Sequence, residues 1–158
     1  MLKQTLLMVM AGLLLGAGDA NEAAKTELKK LQGTWKVVSM EVAGKPLPKD
    51  KVDGTQIVFK DEQMTIGLMD GKGNTMPVKI DPTTKPKAID LTIVRGDDKV
   101  VWKCIYSLEG DTIKFLMPLA PTKGQKDPGE GYGVLKRPES FDAKDKPFMV
   151  FTAERQKN

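Results

Sequence analysis

Few side chains in this chain could do chemistry, because the sequence has no histidine and a single cysteine, Cys104. The absence of histidine excludes Ser-His-Asp and Cys-His catalysis and histidine-based zinc or iron sites. One cysteine excludes a four-thiolate zinc site and an internal disulfide. Cys104 falls mid-strand between Trp102 and Tyr106, a position that favours a small buried residue over a nucleophile. The sequence therefore predicts no catalytic residue, metal or cofactor, and we expect a protein that is not an enzyme.

The carboxylates do not form a catalytic pattern either. The pairs Asp61-Glu62 and Asp97-Asp98 fall in predicted turns, where solvated charge is usual. Asp70 and Asn74 have the spacing of part of a calcium loop, but Lys72 occupies a ligand position and no bidentate Glu follows. This stretch predicts a hairpin turn.

The N-terminus has the three parts of a secretory signal peptide. Lys3 supplies a positive start, residues 5–15 are almost wholly apolar, and Gly18-Asp19-Ala20 offers small residues for cleavage. The apolar run is too short to cross a bilayer as a helix. We expect a signal peptide over 1–20, a single mature domain over 21–158 without an integral membrane segment, and export to the periplasm or the medium.

The charge pattern gives little evidence of a polyanionic partner. The formal net charge is +4, and the lysines are spread along the chain rather than clustered. Nucleic-acid footprints combine dense basic runs with aromatic residues, and this chain has neither. A mildly basic, solvated surface and no specific nucleic-acid partner are expected.

A short helix is predicted over 21–31, and every regular element after it is predicted to be a strand. Strands are predicted over 34–42, 55–60, 64–68, 76–80, 88–94, 100–108, 112–117 and 148–155. The clearest is 88–94, where Ile89, Leu91 and Ile93 alternate with Asp90 and Thr92. Short connections favour antiparallel neighbours. The fold class is therefore all-β, an eight-stranded antiparallel up-and-down barrel with a short N-terminal helix.

Alternate strand positions collect on one apolar face, which we assign to the barrel interior. Filling the interior is the usual state of a small barrel, but the same residue types also line cavities for hydrophobic molecules. Residue types alone leave both alternatives open. The inward face comprises Met64, Ile66, Leu68, Met76, Val78, Ile80, Ile89, Leu91, Ile93, Trp102, Tyr106, Ile113, Phe115 and Met117.

The two ends of the predicted barrel resemble the lipocalin signature. Gly33-Thr34-Trp35 opens the first strand, and Arg155 lies at the end of the last. In lipocalins the Trp plugs one end of the barrel and the Arg packs across it, a favourable cation–π arrangement. The resemblance implies that Trp35 and Arg155 form a barrel-closing structural pair.

Four blocks in order resemble an uncharacterised lipocalin-like domain family of planctomycete bacteria. They are LQGTWKVV from Leu31, KPKAIDLT from Lys85, IYSLEGDT from Ile105 and RPESF from Arg137. The chain departs from the family pattern at Cys104, where a small residue such as Gly is usual, and in a long connection over 118–133. The resemblance implies a lipocalin-like fold and no established activity.

Two functions therefore remain open from the sequence. The chain is either an exported binding module for a small hydrophobic molecule or a structural or protein-interaction domain with a packed interior. The residues that would line a ligand, or otherwise form the core, are Met64, Ile66, Met76, Leu91, Trp102, Tyr106, Phe115 and Met117.

Overall fold

A computed structural model describes residues 17–67, 73–119 and 136–157. One long helix precedes a series of strands, with a single helical turn between the second and third. The elements are α1 (Ala17–Leu31), β1 (Gly33–Val42), β2 (Lys45–Pro46), α2 (Lys49–Val52), β3 (Gln56–Lys60), β4 (Gln63–Gly67), β5 (Gly73–Asp81), β6 (Lys87–Arg95), β7 (Asp98–Glu109), β8 (Thr112–Pro118) and β9 (Phe148–Arg155).

The long strands form a closed antiparallel barrel. From β3 to β9 each strand pairs with the next along the chain, β1 pairs with β3, and β9 returns to pair with β1 from Trp35↔Arg155 to Val42↔Met149. The two-residue β2 pairs only with the end of β1. The predicted all-β, eight-stranded barrel with an N-terminal helix is confirmed, and the sequence prediction did not include the short elements β2 and α2.

The inward face follows the predicted alternation. Most of the predicted inward residues are buried, Ile93 is half-buried because it lies near the end of β6, and Leu68 lies outside the described residues. Val37, Ile57, Phe59, Phe151 and Ala153 from β1, β3 and β9 complete this core.

Helix α1 covers the end of the barrel at which β1 begins. It starts at Ala17, four residues earlier than predicted, so Asn21 lies inside the helix rather than at its cap. Asp19 in the first turn and Lys29 and Lys30 in the last complement the helix dipole. Leu31 is fully buried. Among the described residues, none of the helices is long and apolar enough to span a membrane.

The segment after the long connection lies on the outer face of the sheet. Residues 136–147 cross β7, β8 and β9, and Phe141 and Ala143 pack on Ile105, Leu116 and Val150. At these three positions the strands are therefore buried on the outer face as well as the inner. The sequence prediction had treated 118–146 as a loosely structured loop and missed this packing.

Candidate ligand-binding site

The helix-covered end of the barrel is closed by Trp35 and Arg155. Trp35 is fully buried, and its indole N–H donates to the Leu31 carbonyl at 2.8 Å. The Arg155 guanidinium carbon lies 4.1 Å from the centroid of the Trp35 ring. Arg155 also donates to the carbonyls of Lys30 and Gln32 at the C-terminal end of α1. The guanidinium thus joins the first strand, the last strand and the helix.

Gly33 is required where the helix gives way to β1. Its φ of 113° lies in a region that side chains other than hydrogen rarely allow. This backbone conformation turns the chain from α1 into the barrel wall, and it places Trp35 two residues later on the inward face.

A buried acidic residue, Glu27, supports the same end. Only 4% of Glu27 is exposed, and its carboxylate pairs with Lys87 of β6 and, at 3.3 Å, with Lys30. Burial alone would raise the pKa of Glu27, but the hydrogen bonds and charges of Lys87 and Lys30 outweigh it and hold the pKa below its ordinary value. Glu27 therefore stays ionised and ties α1 to β6.

Tyr106 lies beside this ion pair. The Lys87 ammonium is 5.9 Å from the centroid of its ring. Within the described residues its buried hydroxyl has no hydrogen-bond partner. Burial, and then the nearby charge of Glu27, raises the pKa of Tyr106, so the phenol stays protonated. The phenol is an anchor of the packed core rather than an acid or base.

The half of the interior next to this end is filled. Met64, Leu91, Tyr106 and Phe115 are each at most 1% exposed and pack with Trp35 in one cluster. This half of the barrel fits the packed-core alternative.

In the opposite half, which we call the open end, the described residues line a cavity of about 550 Å³ that communicates with solvent. Its size falls within the range of small-molecule sites in proteins. Among the predicted lining residues, Ile66, Met76, Trp102 and Met117 contact this cavity, whereas Met64, Leu91, Tyr106 and Phe115 do not. The full lining is Ile66, Asn74, Thr75, Met76, Pro77, Thr92, Ile93, Val94, Trp102, Met117, Pro118, Met149 and Phe151.

The cavity lies where two neighbouring strands stop pairing. Strands β5 and β6 pair only from Val78↔Leu91 to Asp81↔Ala88, although both continue toward the open end. Pro77 is the next residue on β5, and proline has no N–H to donate to the ladder. The ladder therefore lacks one hydrogen bond at Pro77, and the cavity lies beside this point.

Sequence analysis missed three cavity residues that side-chain alternation could have found, namely Ile93 as a lining residue, Met149 and Phe151. It also missed the strand separation that opens the site. Pro77 was the available signal, because a proline inside a strand argues against pairing on both edges. Glu27 was missed as well; it precedes Leu31 by four residues and so shares the buried face of α1.

A second cavity of about 590 Å³ lies between α1 and the barrel wall. Charged and polar side chains, including Asn21, Lys25, Glu62 and Asp81, form much of its lining. All four side chains are exposed. Its lining is therefore more polar than that of the cavity at the open end.

The cysteine lies in the filled half and has no reactive surroundings. Cys104 is fully buried. Burial, and then the charge of Asp90, raises the pKa of the thiol, while Arg137 opposes this rise. Arg137 reaches across from the outer segment, donating to the Cys104 carbonyl at 2.7 Å and to the Asp90 carboxylate at 2.6 Å. Its role is to fasten residues 136–147 to the sheet.

No cluster of three or more acidic or cysteine side chains suited to a metal ion occurs in the part of the chain that the structure describes. Comparisons with known proteins found no matching family model, no similar curated protein and no similar solved structure.

Proposed function

We propose that this protein binds a small apolar molecule in the cavity at the open end of its barrel. The observation that carries the proposal is the largely apolar cavity of about 550 Å³ that inward residues of several strands line at the open end. A filled barrel of this size would leave no such volume. The closed end gives the site a rigid floor.

The composition of the lining supports an apolar ligand of adaptable shape. Trp102 and Phe151 offer large contact areas, and three methionines can adjust to irregular shapes. The three methionines are Met76, Met117 and Met149. Asn74, near the rim, adds a polar group that could orient the ligand.

Export and the resemblance to planctomycete lipocalin-like domains belong to the same proposal. An exported binding domain would meet hydrophobic molecules outside the cytoplasm. The helix-closed barrel is compatible with a lipocalin-like architecture. Fractionation of the producing cells, with N-terminal sequencing of the exported protein, tests the predicted cleavage before Asn21.

Binding can be tested with a fluorescent apolar probe such as N-phenyl-1-naphthylamine and with native mass spectrometry of the purified protein. Met149→Glu places a charge in the half-buried rim and should weaken probe binding by about tenfold or more. Val38→Glu is the matched control, because Val38 is 45% exposed on β1 and does not line the cavity.

A brominated apolar ligand locates the site, because bromine quenches tryptophan only at short range. It should quench Trp102, which lines the cavity, and leave Trp35, buried at the other end, unaffected. Trp35→Phe and Trp102→Phe variants separate the two signals. The absence of probe binding and of any co-purifying compound would contradict the proposal and favour a structural or protein-interaction domain.

A further inference from the structure

The separation of β5 from β6 leaves a gap in the barrel wall, which we call the seam. It is bounded by Thr75 and Pro77 on β5 and by Thr92 and Val94 on β6. The register sets Pro77 opposite Thr92, where the Thr92 N–H donates to the Pro77 carbonyl beside the last pair, Val78↔Leu91, and Pro77 has no N–H to return. It would set Thr75 opposite Val94, and these two residues do not pair. Thr75, Pro77 and Val94 are exposed, and Thr92 is half-buried.

The cavity reaches the outer surface through the seam. Inward positions on β5 and β6, such as Met76 and Ile93, line it from inside. The four seam residues lie at the alternate, outward positions, yet they line the same cavity. A cavity confined to the interior would not be lined by outward positions, so the interior opens sideways here.

A second short ladder shows how such a gap is closed elsewhere in this barrel. Strands β1 and β3 pair only from Gly33↔Phe59 to Lys36↔Gln56. There residues 43–55, which connect β1 to β3, fill the space beyond the paired residues. Val52 of α2 is buried in the core, and Leu47 packs against the core. The cavity at the seam shows that the described residues do not fill the second gap in the same way.

The seam carries backbone hydrogen-bonding groups that point into it. Alternate residues of an antiparallel strand direct both N–H and C=O to the same neighbour. The Val78 N–H donates to Glu62 on the β4 side at 2.8 Å, so Thr75 and Pro77 face β6. Arg95 and Asp98 are the pair that closes the two-residue turn between β6 and β7. Thr92 and Val94 therefore face β5. The Thr92 N–H is already bonded to the Pro77 carbonyl, because this bond flanks the Val78↔Leu91 pair. The donors directed into the seam are the N–H groups of Thr75 and Val94, together with the carbonyl oxygens of these two residues.

Lysines lie near the seam on the outer face. Lys79 is exposed on β5, two residues beyond Pro77, and Lys99 pairs with Val94 across β6 and β7. Lys103 is exposed one pair beyond Trp102. Two described acids also lie nearby: Asp90, opposite Lys79 and Lys103 in the register, pairs with Arg137 at 2.6 Å, and Asp97 is exposed in the turn beyond Val94. An anionic group at the seam would meet N–H donors and lysine charge together.

We infer that the ligand is a single-chain anionic amphiphile, with its alkyl chain in the cavity and its carboxylate or phosphate at the seam. This inference rests on the proposed function. It adds that the polar group leaves the barrel sideways, between β5 and β6, rather than along the barrel axis past Asn74. The N–H groups of Thr75 and Val94 bind the anion, and Lys79 and Lys99 attract it.

The test compares hexadecanoate, hexadecyl phosphate and hexadecanol, which share a chain length and differ in the head group. Wild-type protein should bind both anions more tightly than the alcohol, with an advantage that shrinks as salt is added. Thr92→Asp should weaken binding of the anions by about tenfold and change binding of hexadecanol by less than about twofold. Val38→Asp, exposed on β1, is the matched charge control and should change neither.

A second variant tests the same site without adding a charge. Lys79→Gln combined with Lys99→Gln should weaken binding of hexadecanoate severalfold and leave hexadecanol unchanged. Calorimetry or quenching of Trp102 measures all of these affinities. If the double substitution weakens the affinity for hexadecyl phosphate more than the affinity for hexadecanoate, phosphate is the preferred head group.

The outcomes separate this inference from the function on which it rests. If hexadecanol binds as tightly as the anions, or if Thr92→Asp weakens all ligands equally, the anionic site at the seam is wrong while the binding function stands. If no apolar ligand binds to the wild-type protein, the proposed function fails and this inference falls with it.

Discussion

At the helix-covered end of the barrel, Trp35 is fully buried beneath Arg155 and α1, whereas toward the other end Trp102 lines a cavity of about 550 Å³. The two tryptophans belong to the same continuous core cluster. Their surroundings differ because, among the described residues, a helix and an arginine cover one end, whereas at the other end the β5–β6 ladder stops beside Pro77.

The difference shows that inward-facing residues alone do not make a packed core. At the closed end, continuous pairing brings β1, β3 and β9 together around Trp35, and α1 covers them. At the open end the same kind of side chains face one another across separated strands. We therefore expect most of the packing stability to reside at the closed end and the free volume for a ligand at the other.

Two isoleucines on β6 test this division most strongly. Ile89 is fully buried in the filled half, and Ile93 is half-buried at the cavity. Ile89→Ala should lower the free energy of unfolding by about 2–5 kcal/mol, because it creates a void in close packing. Ile93→Ala should cost about 1 kcal/mol, since less apolar surface is removed from the core.

Urea denaturation of the two variants measures both costs in the same strand and with the same substitution. Equal losses of stability would show that the open end is packed as tightly as the closed end, and the contrast between the two halves would then be wrong.

The Arg155 contact is the next largest expected effect. Arg155→Ala removes the cation–π contact with Trp35 and the hydrogen bonds to the carbonyls of Lys30 and Gln32. The expected loss of stability is about 1–3 kcal/mol. Arg155→Lys should recover only part of this stability, because an ammonium cannot stack on the indole ring and donate to two carbonyls at once as a planar guanidinium does. Ligand affinity should not change, because the pair lies at the other end.

Lys157→Ala is the control for removing a nearby cation. Lys157 is 81% exposed and, like Arg155, forms an ion pair with Asp111. It should change the stability by less than about 0.5 kcal/mol. A loss for Arg155→Ala no larger than this would show that the closing contact is unimportant.

Much of the fold could be predicted from the sequence, because the strands that carry it alternate clearly or end in strong turns. Ile89, Leu91 and Ile93 alternate with polar residues and form β6 as predicted. The outer covering by residues 136–147 was missed. The runs Cys104-Ile105-Tyr106 and Phe115-Leu116-Met117 could have indicated it, because strands that are apolar on both faces are buried on both.

The division of the interior could not be predicted from residue types. Met64 and Met117 are both inward methionines, yet one lies in the packed half and the other lines the cavity. What separates them is the length of the β5–β6 ladder, a property of pairing between strands. Pro77 indicates where that ladder can end but not how far the strands then part.

The ion pairs of Glu27 predict a pH dependence that originates at the closed end. Because Lys87 and Lys30 favour the charged carboxylate, its pKa is lower in the folded protein than in the unfolded chain. The resulting stability is fully present above the unfolded pKa, about 4.3. It is lost as the pH falls through the lower folded value.

Glu27→Gln should therefore cost about 1–3 kcal/mol at neutral pH, and little at acidic pH. Chemical denaturation at several pH values checks this convergence, with Glu22→Gln as the control, because Glu22 is 73% exposed in its pair with Lys25. A pH-independent cost for Glu27→Gln would show that packing, rather than charge, is what the residue contributes.

The smallest expected effect is the reactivity of Cys104, which measures access to the filled half without perturbing it. Iodoacetamide reacts with the thiolate. Burial and the charge of Asp90 raise the pKa of this thiol, so neither access nor ionisation favours labelling. We expect the folded protein to be labelled only as fast as it opens, and the denatured protein to be labelled at once.

Thr75→Cys in a Cys104→Ala background is the matched comparison, because Thr75 is exposed at the seam and should react rapidly. If the two cysteines are labelled at similar rates under native conditions, the filled half is as accessible as the seam, and the proposed separation of a packed half from a binding half is wrong.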